Sequence, residues 1–153
     1  MLSLSRLGPA MNWEALFSAA NLLALASWAA LTALPRWPAL LTTLRTIVIG
    51  IFLIGYGALV MVFFFRVEGG GFGSLAQVQN LFAAQPVALA GWLHYLAFDL
   101  FVGIWIAERA QALGVSRLLQ APLLLTTFMF GPVGLLAAYG LAQLPKFSTV
   151  EQG

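Results

Sequence analysis

The 153-residue chain has no cysteine, a single histidine and a single aspartate, and only 8% of its residues are charged. The absence of cysteine excludes disulfides, thiolate catalysis, iron–sulfur clusters and cysteine-ligated zinc. Soluble domains contain about 25% charged residues, so the low charge excludes an ordinary soluble globular protein. The basic residues are scattered singly rather than in runs, which excludes a nucleic-acid-binding surface. The chain also lacks a nucleotide-binding loop, a serine-nucleophile or zinc-protease motif and a Rossmann glycine pattern.

Apolar residues dominate what is present: they make up 61% of the chain, and the mean hydropathy is +0.95. A helix that crosses a bilayer needs about 20 predominantly apolar residues, and four segments meet this length. Backbone groups in lipid must be satisfied within helices or a closed barrel, and these runs lack the two-residue alternation of barrel strands. The sequence therefore predicts an all-α integral membrane four-helix bundle. It forms a single transmembrane domain over residues 1–153, with spans at roughly 13–34, 43–66, 86–110 and 117–144.

A glycine-rich connector separates the second and third predicted spans. Residues 67–73 contain four glycines, whose backbone entropy disfavours a helix. In the stretch that follows Ser74, apolar residues recur at helical spacing, and serine is a preferred cap at helix N-termini. This pattern predicts a short amphipathic helix at roughly 74–84, lying on the membrane surface or over the mouth of the bundle. An inert ordered loop is the alternative.

An even number of spans would place both termini on the same side of the membrane. The connectors after the first and third predicted spans carry four arginines, whereas the other side carries three basic residues. The positive-inside rule then favours cytoplasmic connectors and non-cytoplasmic termini. We therefore expect a multi-pass protein in the lipid bilayer of a bacterial inner membrane or a photosynthetic membrane, with no nucleic-acid partner.

The only histidine and the only aspartate, His94 and Asp99, both lie inside the third predicted span. An ionisable side chain in hydrocarbon must be paired, stay neutral or serve a function, so these residues are the candidate catalytic groups. Five residues at 100° each place them about 140° apart around the helix, which argues against a direct His–Asp pair. For Asp99 the alternatives are a hydrogen-bonded pin to a neighbouring helix and a proton donor or acceptor beside a ligand. For His94 they are an interhelical hydrogen bond, acid–base chemistry, and axial ligation of a haem or chlorin.

Other polar and aromatic side chains at a similar depth are candidates for contact with Asp99 or with a bound ligand. The partners that depth predicts for Asp99 are Asn21, Trp28, Tyr56, Thr126 and Thr127. The predicted substrate-binding residues are Asn21, Trp92, Tyr95, Phe98, Trp105, Thr126 and Phe130. A zinc or di-iron site is not expected, because the glutamates lie at segment ends far from His94.

The fourth predicted span is interrupted by Gly131-Pro132. Proline lacks a backbone donor and displaces the carbonyl four residues earlier, so a kink is predicted here. A kink opens space between helices, and Gly134 beside it would let another helix or a flat ligand approach. A kink that serves packing alone is the alternative.

Several sequence elements together resemble a known family. They are Ala20-Asn21-Leu22, the stretch 90–103 with its Trp-x-His and Asp-Leu-Phe elements, and the segments 122–126 and 130–136, the last of which contains Gly-Pro-x-Gly. Over roughly residues 12–139 the chain is similar to the small four-span membrane proteins called "abscisic acid deficient four", which are associated with neoxanthin synthesis in plants.

This resemblance implies binding or conversion of a carotenoid or xanthophyll: the 5,6-epoxide of violaxanthin would open to the allene of neoxanthin, with or without cis isomerisation. The reaction is an internal rearrangement, so no cofactor is expected. Asp99 or His94 would protonate the epoxide oxygen and remove a proton from the adjacent position, in a dry site where such groups act strongly. One alternative is a non-catalytic small subunit or assembly factor, packed against a larger photosynthetic or respiratory complex or against copies of itself. A haem- or chlorin-binding scaffold through His94 is another.

Overall fold

The computed structural model describes residues 11–142, and all regular secondary structure within that range is helical. The helices are α1 (Trp13–Ala33), α2 (Pro38–Arg66), α3 (Leu75–Ala83), α4 (Gln85–Ala112), α5 (Arg117–Phe130) and α6 (Pro132–Ala142). Within α2, residues Thr43–Val48 form a wider π-helical stretch, and Phe64–Arg66 close the helix in a 3₁₀ turn.

Local sequence explains where these helices begin. The Asn12 side chain accepts a hydrogen bond from the Ala15 N–H at 2.9 Å, which caps α1. Ser74 caps α3 in the predicted way by accepting from the Gln77 N–H at 3.3 Å. The helices α2 and α4 each carry a proline in their first turn, where its missing N–H has no helical partner to lose.

Three helices, α1, α2 and α4, are long and apolar enough to span a membrane. Of these, α4 is the central helix. In its most apolar 18-residue stretch, 56% of the residues are buried inside the protein, against 28% for α1 and 22% for α2. Around α4, buried side chains of α1, α2 and α5 form a single apolar core. Side chains on different sides of α4 therefore face different neighbouring helices.

Two pairs of contacts show that α1 runs parallel to α4. Near the start of both helices, the Trp92 indole N–H donates to Asn21 Oδ1 at 2.8 Å. Farther along both, Gly103 lies under the ring of Trp28, where an added Cβ would come within 2.8 Å of Trp28 Cζ3. The glycine lets the two helices approach closely.

The direction of α2 is opposite. Its first turns contact the end of α4 through an ion pair between Arg45 and Glu108, 2.7 Å apart. Its second half contacts the first half of α4, where the Tyr56 and His94 rings are 5.5 Å apart. The end of the bundle that carries Arg36, Arg45, Arg109 and Arg117 is called the arginine end below.

The helix α5 runs back along α4. Near the turn after α5, the Tyr95 hydroxyl donates to the Met129 carbonyl at 3.3 Å. At the arginine end, one nitrogen of Arg36 donates both to the Ala107 carbonyl of α4 and to Gln120 near the start of α5.

The helix α6 then reverses and runs in the same direction as α4. Gly131, just before α6, lies against Asp99, and farther along both helices the rings of Tyr139 and Trp105 are 5.9 Å apart. An antiparallel α5 and a parallel α6 can only be joined by a sharp reversal at Gly131. The two helices therefore form a helical hairpin with its tip at Gly131.

This hairpin replaces the predicted fourth span at residues 117–144, of which residues 143 and 144 lie outside the described part of the chain. The break falls at the predicted Gly131-Pro132 position, but the chain reverses there instead of kinking. Over the described residues, the two arms have 14 and 11 residues, and neither reaches the roughly 20 residues of a crossing. Gly134 lets the arms close, since an added Cβ would lie 2.6 Å from the Thr127 backbone nitrogen. The four-span count is accordingly not supported.

The glycine-rich connector is packed onto α3. Gly69 has a φ of 67°, a left-handed conformation that suits glycine, and its carbonyl accepts from Asn80 at 3.1 Å. The Gly73 N–H donates to the Gln77 side chain at 2.9 Å. Gly70 lies against Leu81, which is the buried residue of α3.

Candidate functional site

Asp99 lies halfway along α4 and faces the tip of the hairpin. It is only 8% exposed, and its Oδ2 is the one buried side-chain oxygen or nitrogen within residues 11–142 that has no hydrogen-bond partner. Burying an unpaired carboxyl oxygen is costly, and native structures rarely leave one without a reason. The position therefore calls for a proton, a water or a ligand group beside Oδ2.

The hairpin tip provides the space for this carboxyl. A Cβ added to Gly131 would lie 2.7 Å from Asp99 Cγ, so only glycine allows the close approach. Gly131 also separates the last turn of α5 from the first turn of α6, where backbone groups lack helical partners.

Tyr95 completes the site from within α4. It precedes Asp99 by four residues, so the two side chains share one helix face, and the tyrosine hydroxyl is within reach of the carboxyl. The same hydroxyl donates to the Met129 carbonyl in the last turn of α5. Tyr95 thus connects the carboxyl of α4 to the hairpin and can relay or hold a proton between them.

His94 lies on a different side of α4, as the angular separation predicts, and the structure does not bring it to Asp99. It is exposed, and its ring stacks on Phe98 at a centroid distance of 4.4 Å. The ring of Tyr56 in α2 lies 5.5 Å from the His94 ring, tilted relative to it. The two predicted catalytic residues therefore belong to two separate environments.

The partners predicted for Asp99 by depth are engaged elsewhere. Asn21 accepts from Trp92, and Trp28 packs on Phe128 and Gly103. Each threonine hydroxyl donates to the carbonyl four residues earlier: Thr126 to Pro122 at 2.8 Å and Thr127 to Leu123 at 2.9 Å. The prediction assumed that α5 continues past Asp99 as one span, whereas the hairpin presents backbone and glycine there.

The predicted substrate-binding residues are dispersed around α4. Trp92 and Tyr95 stack on each other at 5.3 Å, and Asn21 joins them through its bond to Trp92. Phe98 belongs to the His94 side, while Phe130 is exposed next to the hairpin tip. Trp105 lies nearer the arginine end, against Tyr139. Only Tyr95 directly adjoins Asp99.

Arg36 is a buried charged residue that the sequence analysis did not predict. It is 9% exposed, and it donates to the Leu31 carbonyl at 3.2 Å, to the Ala107 carbonyl at 3.1 Å and to Gln120 Oε1. Burial, and then the charge of Arg117, lower the pKa of its guanidinium. By bonding groups of α1, α4 and α5 together, Arg36 fixes the base of the hairpin. Its position in a connector between two prolines gave no signal of this burial.

Comparison with known proteins identifies the lineage of the chain. The family model described as "ABA DEFICIENT 4-like" matches residues 15–137. The chain belongs to this family. The family recognised from the sequence elements is thus confirmed. No curated protein and no solved structure matches the chain. Family membership is consistent with a xanthophyll- or neoxanthin-related role.

Proposed function

We propose that this ABA DEFICIENT 4-like protein rearranges a carotenoid within the membrane, with Asp99 as its acid–base group. The observation that supports this most is the buried Asp99 carboxyl at the hairpin tip, whose Oδ2 has no hydrogen-bond partner among the described residues. A carboxyl kept away from water is suited to hold a proton and return it within one bound substrate. Family membership is consistent with a carotenoid or xanthophyll as the substrate.

The proposed reaction opens an epoxide without any net oxidation. The protonated Asp99 donates to the epoxide oxygen, and the C–O bond breaks with its electron pair going to that oxygen, which becomes a hydroxyl. A proton then leaves the adjacent chain carbon for the resulting Asp99 carboxylate, and the freed electron pair forms the new double bond of the allene. One group is both acid and base, so the protons balance and no cofactor is required.

The hairpin changes the membrane arrangement that we infer. We propose that α1, α2 and α4 cross the membrane and that α5–α6 enter and return on the arginine end. Irregular backbone inside a membrane is tolerated where protein covers it, and Gly131 is buried. In this arrangement the described chain begins and ends at opposite ends of the bundle. This differs from the arrangement expected for four spans, and the positive-inside rule puts the arginine end in the cytoplasm.

The test is conversion of violaxanthin in cells that make it, followed by pigment extraction and chromatography. The unaltered chain should yield the allenic product, and Asp99→Asn should lower the yield at least about 100-fold, the usual worth of a general acid–base group. Glu14→Gln is the matched control, because Glu14 is an exposed carboxyl at the start of α1. Full conversion by Asp99→Asn would eliminate the proposal.

A second candidate function is supported by the outer face of α4. His94, Phe98 and Phe101 are exposed there, and aromatic rings on an outer face suit packing against another membrane protein or against a pigment. A small-subunit role would appear as a stoichiometric partner after isolation in mild detergent. Ligation of a haem or chlorin by His94 would appear as a Soret band that His94→Ala removes. If neither the partner nor the Soret band is found, only the carotenoid proposal remains.

A further inference from the structure

A pocket of about 210 Å³ lies between α4 and the two arms of the hairpin at the arginine end. It is separate from Asp99: along α4, its lining begins at Trp105, about 9 Å beyond the carboxyl at 1.5 Å per residue. Its walls are almost entirely apolar and come from all three helices. Among them are Ile106, Ala110, Leu119, Leu123 and Ala138.

Arg109 gives this apolar pocket a positively charged rim. The residue is exposed and lines the pocket, and its guanidinium carbon is 5.9 Å from the centroid of the Trp105 ring. A guanidinium has five N–H donors, so it can bind an oxyanion while keeping another contact. Trp105 and Tyr139 are the aromatic residues beside it, and both residue types are enriched at the headgroup level of membranes.

Among the described residues, the charge around the pocket is mostly positive. Arg36, Arg109 and Arg117 lie at this end, and Arg45 adds a fourth cation. Among residues 11–142, Glu108 is the only acidic side chain there, and it is paired with Arg45. An occupant with a negative charge at one end and an apolar chain at the other matches both the rim and the walls. Basic pockets between membrane helices are known to hold anionic lipid headgroups in this way.

We propose that this pocket binds one anionic phospholipid, with the phosphate at Arg109 and part of an acyl chain between α4 and the hairpin. The lipid would fill the space that the short hairpin leaves beside α4. This inference does not depend on the carotenoid chemistry, because the pocket and Asp99 share no residue.

The test compares two lipids with identical acyl chains, phosphatidylglycerol and phosphatidylcholine, added to the full chain in a neutral detergent. Native mass spectrometry should show one retained phosphatidylglycerol per chain. Each arginine near a lipid headgroup contributes about 1 kcal/mol, which is about fivefold in affinity. Arg109→Gln should therefore weaken the binding of phosphatidylglycerol about fivefold and that of phosphatidylcholine by less, because the choline cation offsets the charge of its phosphate. Ala138→Phe, which fills the pocket, should weaken both lipids.

Arg66→Gln is the matched control, because Arg66 is an exposed arginine at the opposite end. Equal affinity for the two lipids, or equal losses for Arg66→Gln and Arg109→Gln, would overturn the proposal. So would the same thermal stabilisation by inorganic phosphate alone, which would indicate an anion site without a lipid chain. If Ala138→Phe fails to fold, the two arginine variants decide the matter.

Discussion

Asp99 and His94 lie five residues apart on α4, yet the helix places them in opposite surroundings. The side that faces the hairpin buries its polar groups: Asp99 is 8% exposed and Arg36 is 9% exposed. The side that faces α2 leaves them outside, with His94 on the surface and the Arg45–Glu108 side chains 44% and 40% exposed. The partners of the polar groups on the hairpin side are therefore supplied by the packed protein, whereas the polar groups on the α2 side remain in contact with whatever surrounds the protein. The predictions below test this contrast, and two of them use the α2 side as the control for the hairpin side.

The largest expected effect is on the base of the hairpin. Arg36→Met leaves two backbone carbonyls and the Gln120 oxygen without their donor. Loss of hydrogen bonds from a buried charged group should lower the free energy of unfolding by about 3 kcal/mol. Arg45→Met, on the α2 side, should lower it by less than about 1 kcal/mol. Titration of both variants with a denaturing detergent measures the difference, and equal losses would contradict the comparison.

Closure of the hairpin arms comes next. Gly134→Ala places a methyl group 2.5 Å from Thr127 Cα, and such overpacking costs about 2 kcal/mol. Gly140→Ala makes the same substitution in the same helix at a position with nothing within 4 Å. It should raise stability slightly, since alanine is the better helix former. Thermal unfolding of the two variants is the measurement, and a harmless Gly134→Ala would argue against the packed hairpin.

A smaller effect is expected from the tyrosine that adjoins Asp99. Tyr95→Phe removes a hydroxyl that donates to the Met129 carbonyl and lies within reach of the carboxyl. Loss of one such hydrogen bond, about 1.4 kcal/mol, should lower carotenoid conversion about tenfold. Tyr56→Phe removes a hydroxyl on the His94 side and should leave conversion unchanged. Pigment chromatography of the two strains decides, and equal yields would remove Tyr95 from the site.

The smallest effect belongs to the exposed ion pair. A double-mutant cycle on Arg45→Gln and Glu108→Gln should give a coupling of about 0.5 kcal/mol, because exposed pairs gain little in water. The coupling should fall further in high salt. A coupling above about 2 kcal/mol would show that this side of α4 is shielded from solvent after all.

Much of the helical framework was readable from the sequence. Apolar length predicted the three long helices, Ser74 predicted the start of α3, and a rotation of 100° per residue separated His94 from Asp99. These features depend on local chemistry or on the geometry of one helix. The position of the break at Gly131-Pro132 was predictable for the same reason, since proline acts on its own helix.

The direction of the chain after that break was not predictable. A kink and a full reversal carry the same local signal, and the choice depends on contacts between distant residues, such as Gly134 with Thr127 and Gly131 with Asp99. Treating α5 and α6 as one span also predicted Thr126 and Thr127 as partners of Asp99, whereas their hydroxyls donate to carbonyls of their own helix. Arg36 escaped notice because its acceptors are contributed by three helices, which one segment of sequence does not show.

The connector between α2 and α3 has a practical consequence. Four glycines in seven residues would usually invite insertion of an affinity tag or a cleavage site. Here the backbones of Gly69 and Gly73 form hydrogen bonds with side chains of α3, and Gly70 packs against Leu81. An insertion would disturb these contacts with α3, so a reporter placed in this loop would alter the structure that it was meant to observe.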